Sequence, residues 1–252
     1  MADDDVDETV EATTTPNDAA DPQEIVDSKI PESVRNRYDV LSYKNAAVIL
    51  AESHKEQFEE LINVLNAFSI TTAMIMKAGG NESEITKILS RYLRPLEWHE
   101  TTISGYLVMR LDWKKQLGVK PSGKPRFKWE KREFKREKYL GGHKIDYVKG
   151  KVAFDLEWNS KDQTFDRDLY AFHAFFMAGA VDVGVLVTRS ADLTPVFQEL
   201  GVSSKYGAST TWWGKLVPRL NAGRNQGCPV LAIGIRSECI SDLDAYRSTV
   251  TE

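Results

Sequence analysis

The chain has 252 residues, 42% hydrophobic and 28% charged, enough to bury a real core in one large domain or two small ones. No apolar run approaches the roughly 20 residues of a membrane helix. The opening MADDDVDETVE is acidic where a secretory leader is basic and then apolar, so the expected address is the cytoplasm. With two cysteines, Cys228 and Cys239, and four histidines, neither a disulfide framework nor a cluster of soft metal ligands is expected; any metal would sit on oxygens.

The net charge of −4 is unevenly spread. From Met1 to Glu32 eleven acids stand against Lys29 alone, a balance of −10 that leaves the rest of the chain at +6. This Thr- and Ala-rich stretch has almost no large apolar residue before Ile25, so residues 1–34 are expected to be a disordered or weakly ordered tail. It would solubilise the chain or, alternatively, compete with a polyanion for the basic body. Residues 35–252 read as a single domain. Tyr38–Leu50 mixes strand and helix signals, and Ala51–Phe68 carries Phe58, Leu61, Ile62, Val64 and Leu65 at helical spacing. Gly79, Gly80 and Asn81 end the preceding segment. Ser83 is placed to cap a helix reaching about Leu93 and closed by Pro95, with Ile85, Ile88, Leu89 and Leu93 as its core stripe.

Thr101–Leu111 reads as extended chain, and a strongly basic segment follows. Lys114–Lys138 holds eleven bases against Glu130, Glu133 and Glu137, with Trp113, Phe127, Trp129 and Phe134 interleaved and Pro121, Gly123 and Pro125 as loop punctuation. A local +8 of this kind neutralises phosphates, which makes Lys124, Arg126 and Lys128 nucleic-acid contacts. The alternative is a solvated face whose aromatics pack a loop onto the core.

The stretch from Gly142 to Arg189 is the most informative. HKIDYV and KVAFDLEWN flank Lys149, Gly150 and Lys151, which predicts a hairpin. In the second strand Asp155, Glu157 and Asn159 share one face, and Phe154, Leu156 and Trp158 the other. QTFDRDLYAFHAFFMA has Phe165, Leu169, Phe172 and Phe176 at helical spacing, while VDVGVLVTR and CPVLAIGI are near-continuous apolar runs suited to central buried strands. The architecture expected is α/β, a mixed central sheet flanked by helices. Hairpin pairing brings Asp146, Glu157 and Asn159 toward one sheet edge. Two carboxylates with carbonyl oxygens, water and a substrate phosphate make a Mg²⁺ site, and beside the basic segment that reads as a nuclease. For an isolated pair of acids the plainer reading is a turn cap at Asp146 and a lysine partner for Glu157.

The order of helix, strand with Asp, hairpin, strand with Glu, helix and buried strand resembles the PD-(D/E)xK nuclease fold. DLEWNSKDQTFDRDL, VDVGVLVTR and GCPVLAIGI resemble the BglII-like type II restriction endonucleases in particular, over about Gly79–Ile235. The resemblance implies Mg²⁺-dependent hydrolysis of double-stranded DNA by a homodimer at a short, usually palindromic, site, with a catalytic core at about 79–190 and recognition elements at about 113–140 and 203–225. Carried over by position, Asp146 and Glu157 are the metal-binding carboxylates, and Asn159 takes the place of the usual lysine. An amide is no general base near neutral pH, so the metal or a substrate phosphate would have to activate water; Lys161, of matching strand parity, is the other candidate. Asp155 ranks behind Asp146 because the family places one aspartate on the preceding strand. Glu84, in SEITK, matches the acid an upstream helix often supplies, though a first-turn glutamate also serves the helix dipole.

Ser203–Arg224 is rich in hydroxyls and bases, the groups that reach phosphates and base edges. Lys205, Ser209, Thr210, Thr211, Lys215, Arg219 and Arg224 are therefore DNA-contact candidates, with Arg189 at the end of VDVGVLVTR able to reach the same face. Trp212 and Trp213 fit core or dimer contacts better than base stacking. Two competing readings stand beside the restriction enzyme: a repair or recombination nuclease that prefers DNA structure over sequence, and a catalytically silent DNA-binding module. The chain has no G-x-G-x-x-G, P-loop or G-x-S-x-G, which speaks against a metabolic enzyme.

Overall fold

The two apolar runs set the centre of the molecule. A computed structural model describes residues 19–77 and 83–250. In chain order these form α1 (Gln23–Lys29), α2 (Glu32–Arg35), β1 (Tyr38–Tyr43), α3 (Ala46–Ser53), α4 (Lys55–Ala67), α5 (Thr72–Met76) and α6 (Glu84–Leu93). Then follow β2 (His99–Val119), β3 (Pro125–Lys149), β4 (Val152–Glu157), α7 (Thr164–Met177), β5 (Val183–Arg189), α8 (Leu193–Glu199), α9 (Trp213–Asn221), β6 (Val230–Ile235) and α10 (Leu243–Val250). The sheet is mixed, in the order β1-β6-β5-β4-β3-β2. β4, β5 and β6 run parallel, and β1 and β3 join them antiparallel. Every residue of β5 and β6 is buried, as strands with helices on both faces require. The expected α/β architecture is the one observed.

Two glycines make the central unit possible. Gly150 turns the β3–β4 hairpin with φ +56°, a left-handed conformation that costs a glycine nothing. Gly184 in β5 lets α7 approach so closely that a Cβ there would lie 2.4 Å from a ring carbon of Phe172. The Ser83 cap also forms, its hydroxyl accepting from the Thr86 N–H at 3.1 Å, and Ile85, Ile88, Leu89 and Leu93 are the buried stripe of α6.

The described residues divide into two compact units, one built from the chain up to Thr101 and from Ile145 onward, the other being Thr102–Lys144. The second unit is the long β2–β3 hairpin, so most of the basic segment is strand, and loop geometry is confined to its tip, where Lys120 N–H donates to Lys124 O at 2.8 Å. Trp113, Phe127, Trp129 and Phe134 of this unit are 42, 54, 63 and 41% exposed.

The tail needs a correction. Residues 1–18 lie outside the described residues, but 19–34 are ordered. Val26, Ile30 and Val34, spaced four apart, are buried against the body, and Asp21 fixes the segment by accepting from Ser42 Oγ (2.5 Å) and Asn45 N–H (2.8 Å). Three apolar residues on one side suffice to anchor α1 and α2 in a stretch whose average composition is acidic.

Candidate active site

The β3–β4 hairpin pairs Tyr147 with Phe154, Val148 with Ala153 and Lys149 with Val152. Asp146 lies just beyond the last of these pairs, and its backbone N–H donates to Asp155 Oδ1 at 2.8 Å. Glu157 is the last residue of β4. Two residues on, past the strand end, Asn159 Nδ2 donates to Lys205 O at 3.2 Å. Asp146, Glu157, Asn159 and Glu84 all line one cleft of about 640 Å³. Lys161 is not among the lining residues; it is exposed and its backbone bridges Thr210.

Beneath the hairpin, α7 adds a carboxyl that sequence reasoning missed. Asp168 is 6% exposed and shares a hydrogen bond with Glu157. Burial, then the charge of Glu157, pushes its carboxyl up to about 8. Burial also raises Glu157, with Ser160 opposing through a hydrogen bond and Asp146 reinforcing. Asp155, 4% exposed, is held well above the ordinary carboxylate range by burial and by the neighbouring Asp168 and Asp146. The signal for Asp168 was present in the predicted helix: it stands three residues after Phe165 and four before Phe172, a charged residue on an apolar stripe.

Three buried oxygens in this region, Glu157 Oε2, Asp168 Oδ2 and Asn159 Oδ1, have no hydrogen-bond partner. Orphaned acceptors beside raised carboxyls fit a hard cation, which takes oxygen ligands. Among the described residues no three His, Cys, Asp or Glu side chains close a metal site by themselves. A cation here would therefore complete its shell with water and substrate oxygens, as Mg²⁺ commonly does. Glu84 contributes from the first turn of α6, already paired with Lys77 and Lys87 at 3.4 Å each, and hydrogen bonds from these lysines hold its carboxyl below the usual range.

The DNA-contact candidates separate into three groups. Arg189 and Thr211 are corrected: they are 3% and 0% exposed. Arg189 donates to the carbonyls of Trp158 (3.1 Å), Thr211 (2.8 Å) and Tyr206 (3.4 Å) and to the Thr210 hydroxyl, while Thr211 Oγ1 accepts from Ser160 N–H. A polar strand end in an apolar sheet is more easily satisfied by the adjoining loop than by reaching solvent, and burial lowers this guanidinium to about 10. Lys205, Thr210, Arg219 and Arg224 are partly committed. Lys205 Nζ donates to Ile75 O and Lys77 O, Thr210 Oγ1 to Gly207 O, and both arginines bind Asp166 of α7. Lys124, Arg126, Lys128 and Ser209 are exposed and Lys215 is half-buried.

Acids at the end of a hairpin, opening onto a cleft lined by lysines and an arginine, are the equipment of an enzyme that hydrolyses phosphodiesters. The family model described as restriction endonuclease BglII/BglIII matches residues 38–235, about four fifths of the chain, and the chain belongs to that family. It is accordingly a type II site-specific deoxyribonuclease, a DNA-binding hydrolase. No curated protein matches the chain. Among the described residues no helix is long and apolar enough to cross a membrane.

Proposed function

We propose that the enzyme, on the PD-(D/E)xK plan, cuts double-stranded DNA at a short palindromic sequence, as a cytoplasmic homodimer and with Mg²⁺. Asp146 and Glu157 would hold the cation, with Glu84 at the cleft wall as a further acid. The observation that carries this reading is the pair of orphaned buried oxygens on the cleft, Glu157 Oε2 and Asn159 Oδ1, with the raised carboxyls of Glu157 and Asp168 beside them. When bound, Mg²⁺ supplies Lewis acidity and an acidified water for in-line attack on phosphorus. Asn159 orients by hydrogen bonding, since its amide cannot take the proton. Its Nδ2 is committed to Lys205 O, and its Oδ1 is left as an acceptor. Lys161, outside the cleft lining, fits a phosphate contact better than water activation. The exposed cations Lys124, Arg126 and Lys128 support phosphate contacts from the hairpin, and Ser209 and Lys215 from the 203–225 element. Two-fold symmetry of the target would match that of the dimer.

The test is plasmid cleavage, on unmethylated and methylated DNA, with Mg²⁺ or EDTA, beside Asp146→Ala and Glu157→Ala. Discrete Mg²⁺-dependent fragments, lost in both variants, are expected, and sequencing their ends yields the site. Smears or a preference for branched substrates would point to a repair nuclease instead. Salt-sensitive binding with no cutting of either DNA would leave a binding module.

A further inference from the structure

Besides its acids, the cleft is lined by four cations: Lys77, Lys87, Arg94 and Lys205. Three of them are occupied. Lys77 and Lys87 pair with Glu84, and Lys205 Nζ donates to two main-chain carbonyls at 2.8 and 2.5 Å. Arg94, the residue capping the C-terminal end of α6, is held differently. Its guanidinium carbon lies 4.6 Å from the centre of the Tyr147 ring, and Nη1 donates to Trp98 O at 3.3 Å. Among the described residues no carboxylate pairs with it.

The platform under Arg94 is rigid. Tyr147 is 5% exposed, its hydroxyl and Ser90 Oγ lie within a 2.6 Å hydrogen bond, and its ring meets Phe154 edge-on at 5.8 Å. Tyr147 directly follows Asp146 in β3, and both line the cleft with Arg94. A guanidinium stacked on a buried ring keeps its orientation without spending its N–H groups: one of five is engaged, and the planar fork that remains matches two oxygens of a phosphate. Two lysines that share the carboxylate of Glu84, and whose ammonium groups are point charges without a planar fork, do not provide that.

We infer that Arg94 grips the non-bridging oxygens of the phosphodiester being cut and offsets the charge that builds there during attack. This rests on the reading of Asp146 and Glu157 as the catalytic acids. It assigns to Arg94 a contact with the substrate that is stronger in the transition state than in the ground state.

The experiment compares wild type, Arg94→Ala, Arg94→Lys and Asp146→Ala. Single-turnover cleavage is measured in Mg²⁺, and DNA affinity separately in Ca²⁺ or EDTA. A second substrate carries an uncharged methylphosphonate at the cut position. Arg94→Ala is expected to slow cleavage about 100-fold while leaving DNA affinity and the melting temperature near wild type, because the residue is exposed. Arg94→Lys should recover part of the rate. The methylphosphonate should slow wild type far more than Arg94→Ala, since the two changes remove the same contact. Wild-type cleavage by Arg94→Ala, a loss confined to affinity, or equal methylphosphonate penalties in both proteins would overturn the assignment of Arg94. Full cleavage by Asp146→Ala would instead overturn the catalytic reading on which it rests.

Discussion

Asp168 shows how a single side chain can tie stability to pH. Its folded-state carboxyl is raised, so the protonated form belongs to the fold. Stability from such a group is fully present below the ordinary carboxylate range and is lost as pH rises through about 8. Thermal melts of the metal-free protein should therefore fall between pH 6 and 9, and Asp168→Asn should flatten that profile. A wild-type melting temperature that climbs over the same range would contradict the assignment. Arg189 is the opposite case, a charge that is fully spent inside. Arg189→Leu leaves the carbonyls of Trp158, Thr211 and Tyr206 without their donor. The expected loss is about 3 kcal/mol or more in urea denaturation. The salt dependence of DNA binding should stay unchanged, whereas loss of a phosphate contact would reduce the slope by about 1.

At the scale of elements, the packing of α7 on β5 is the joint on which the site depends, because α7 delivers Asp168 and β5 aligns β4. Gly184→Ala pushes a methyl into the ring of Phe172 at 2.4 Å, which backbone movement must relieve. A cost of about 1–3 kcal/mol is expected from overpacking. It should be read as a lower urea midpoint with unchanged slope. α9 is tied to the N-terminal turn of α7 through Asp166, which takes Arg219 and Arg224. Those two arginines stabilise the helix pair first, and any role on DNA would come only by breaking these pairs.

On the scale of the whole molecule, a chain of net charge −4 would bind a polyanion by concentrating its bases. The Lys114–Lys138 part of the hairpin carries +8, and its cations lie on exposed rings: Lys114 over Trp129 at 5.2 Å and Lys135 over Tyr106 at 3.9 Å. Aromatic surface of this extent is seldom left open in a protein without a large partner. Reversing Lys124, Arg126 and Lys128 to Glu together should weaken DNA binding. It should also lower the slope of log affinity against log salt by about 3, near 0.9 per lost phosphate contact. A slope within error of wild type would remove the hairpin from the DNA interface.

Periodicity alone determined the sheet's central strands, α6 with its Ser83 cap, α7, and the hairpin that carries Asp146 and Glu157, because each is a local pattern of apolar residues and turn formers. The alternation of β4 also put Asp155 on the same face as Glu157, which is where charge accumulates under α7. Composition misled where an average hid a local stripe: Val26, Ile30 and Val34 order a segment that is acidic overall. In the basic run the Pro121 and Gly123 punctuation does mark the hairpin tip, and the run on either side of it is strand. What only the tertiary structure decided is which polar groups face the cleft and which face each other. Arg189 and Lys205 look alike as DNA contacts in the sequence, yet main-chain carbonyls from segments far along the chain bury the first and hold two of the three donors of the second. Asp168 and Arg94 gain their significance from Glu157 and Tyr147, partners that helix and strand bring together only when the sheet is packed. Burial and pairing depend on every neighbour in three dimensions, and one-dimensional spacing carries only those that lie on the same element.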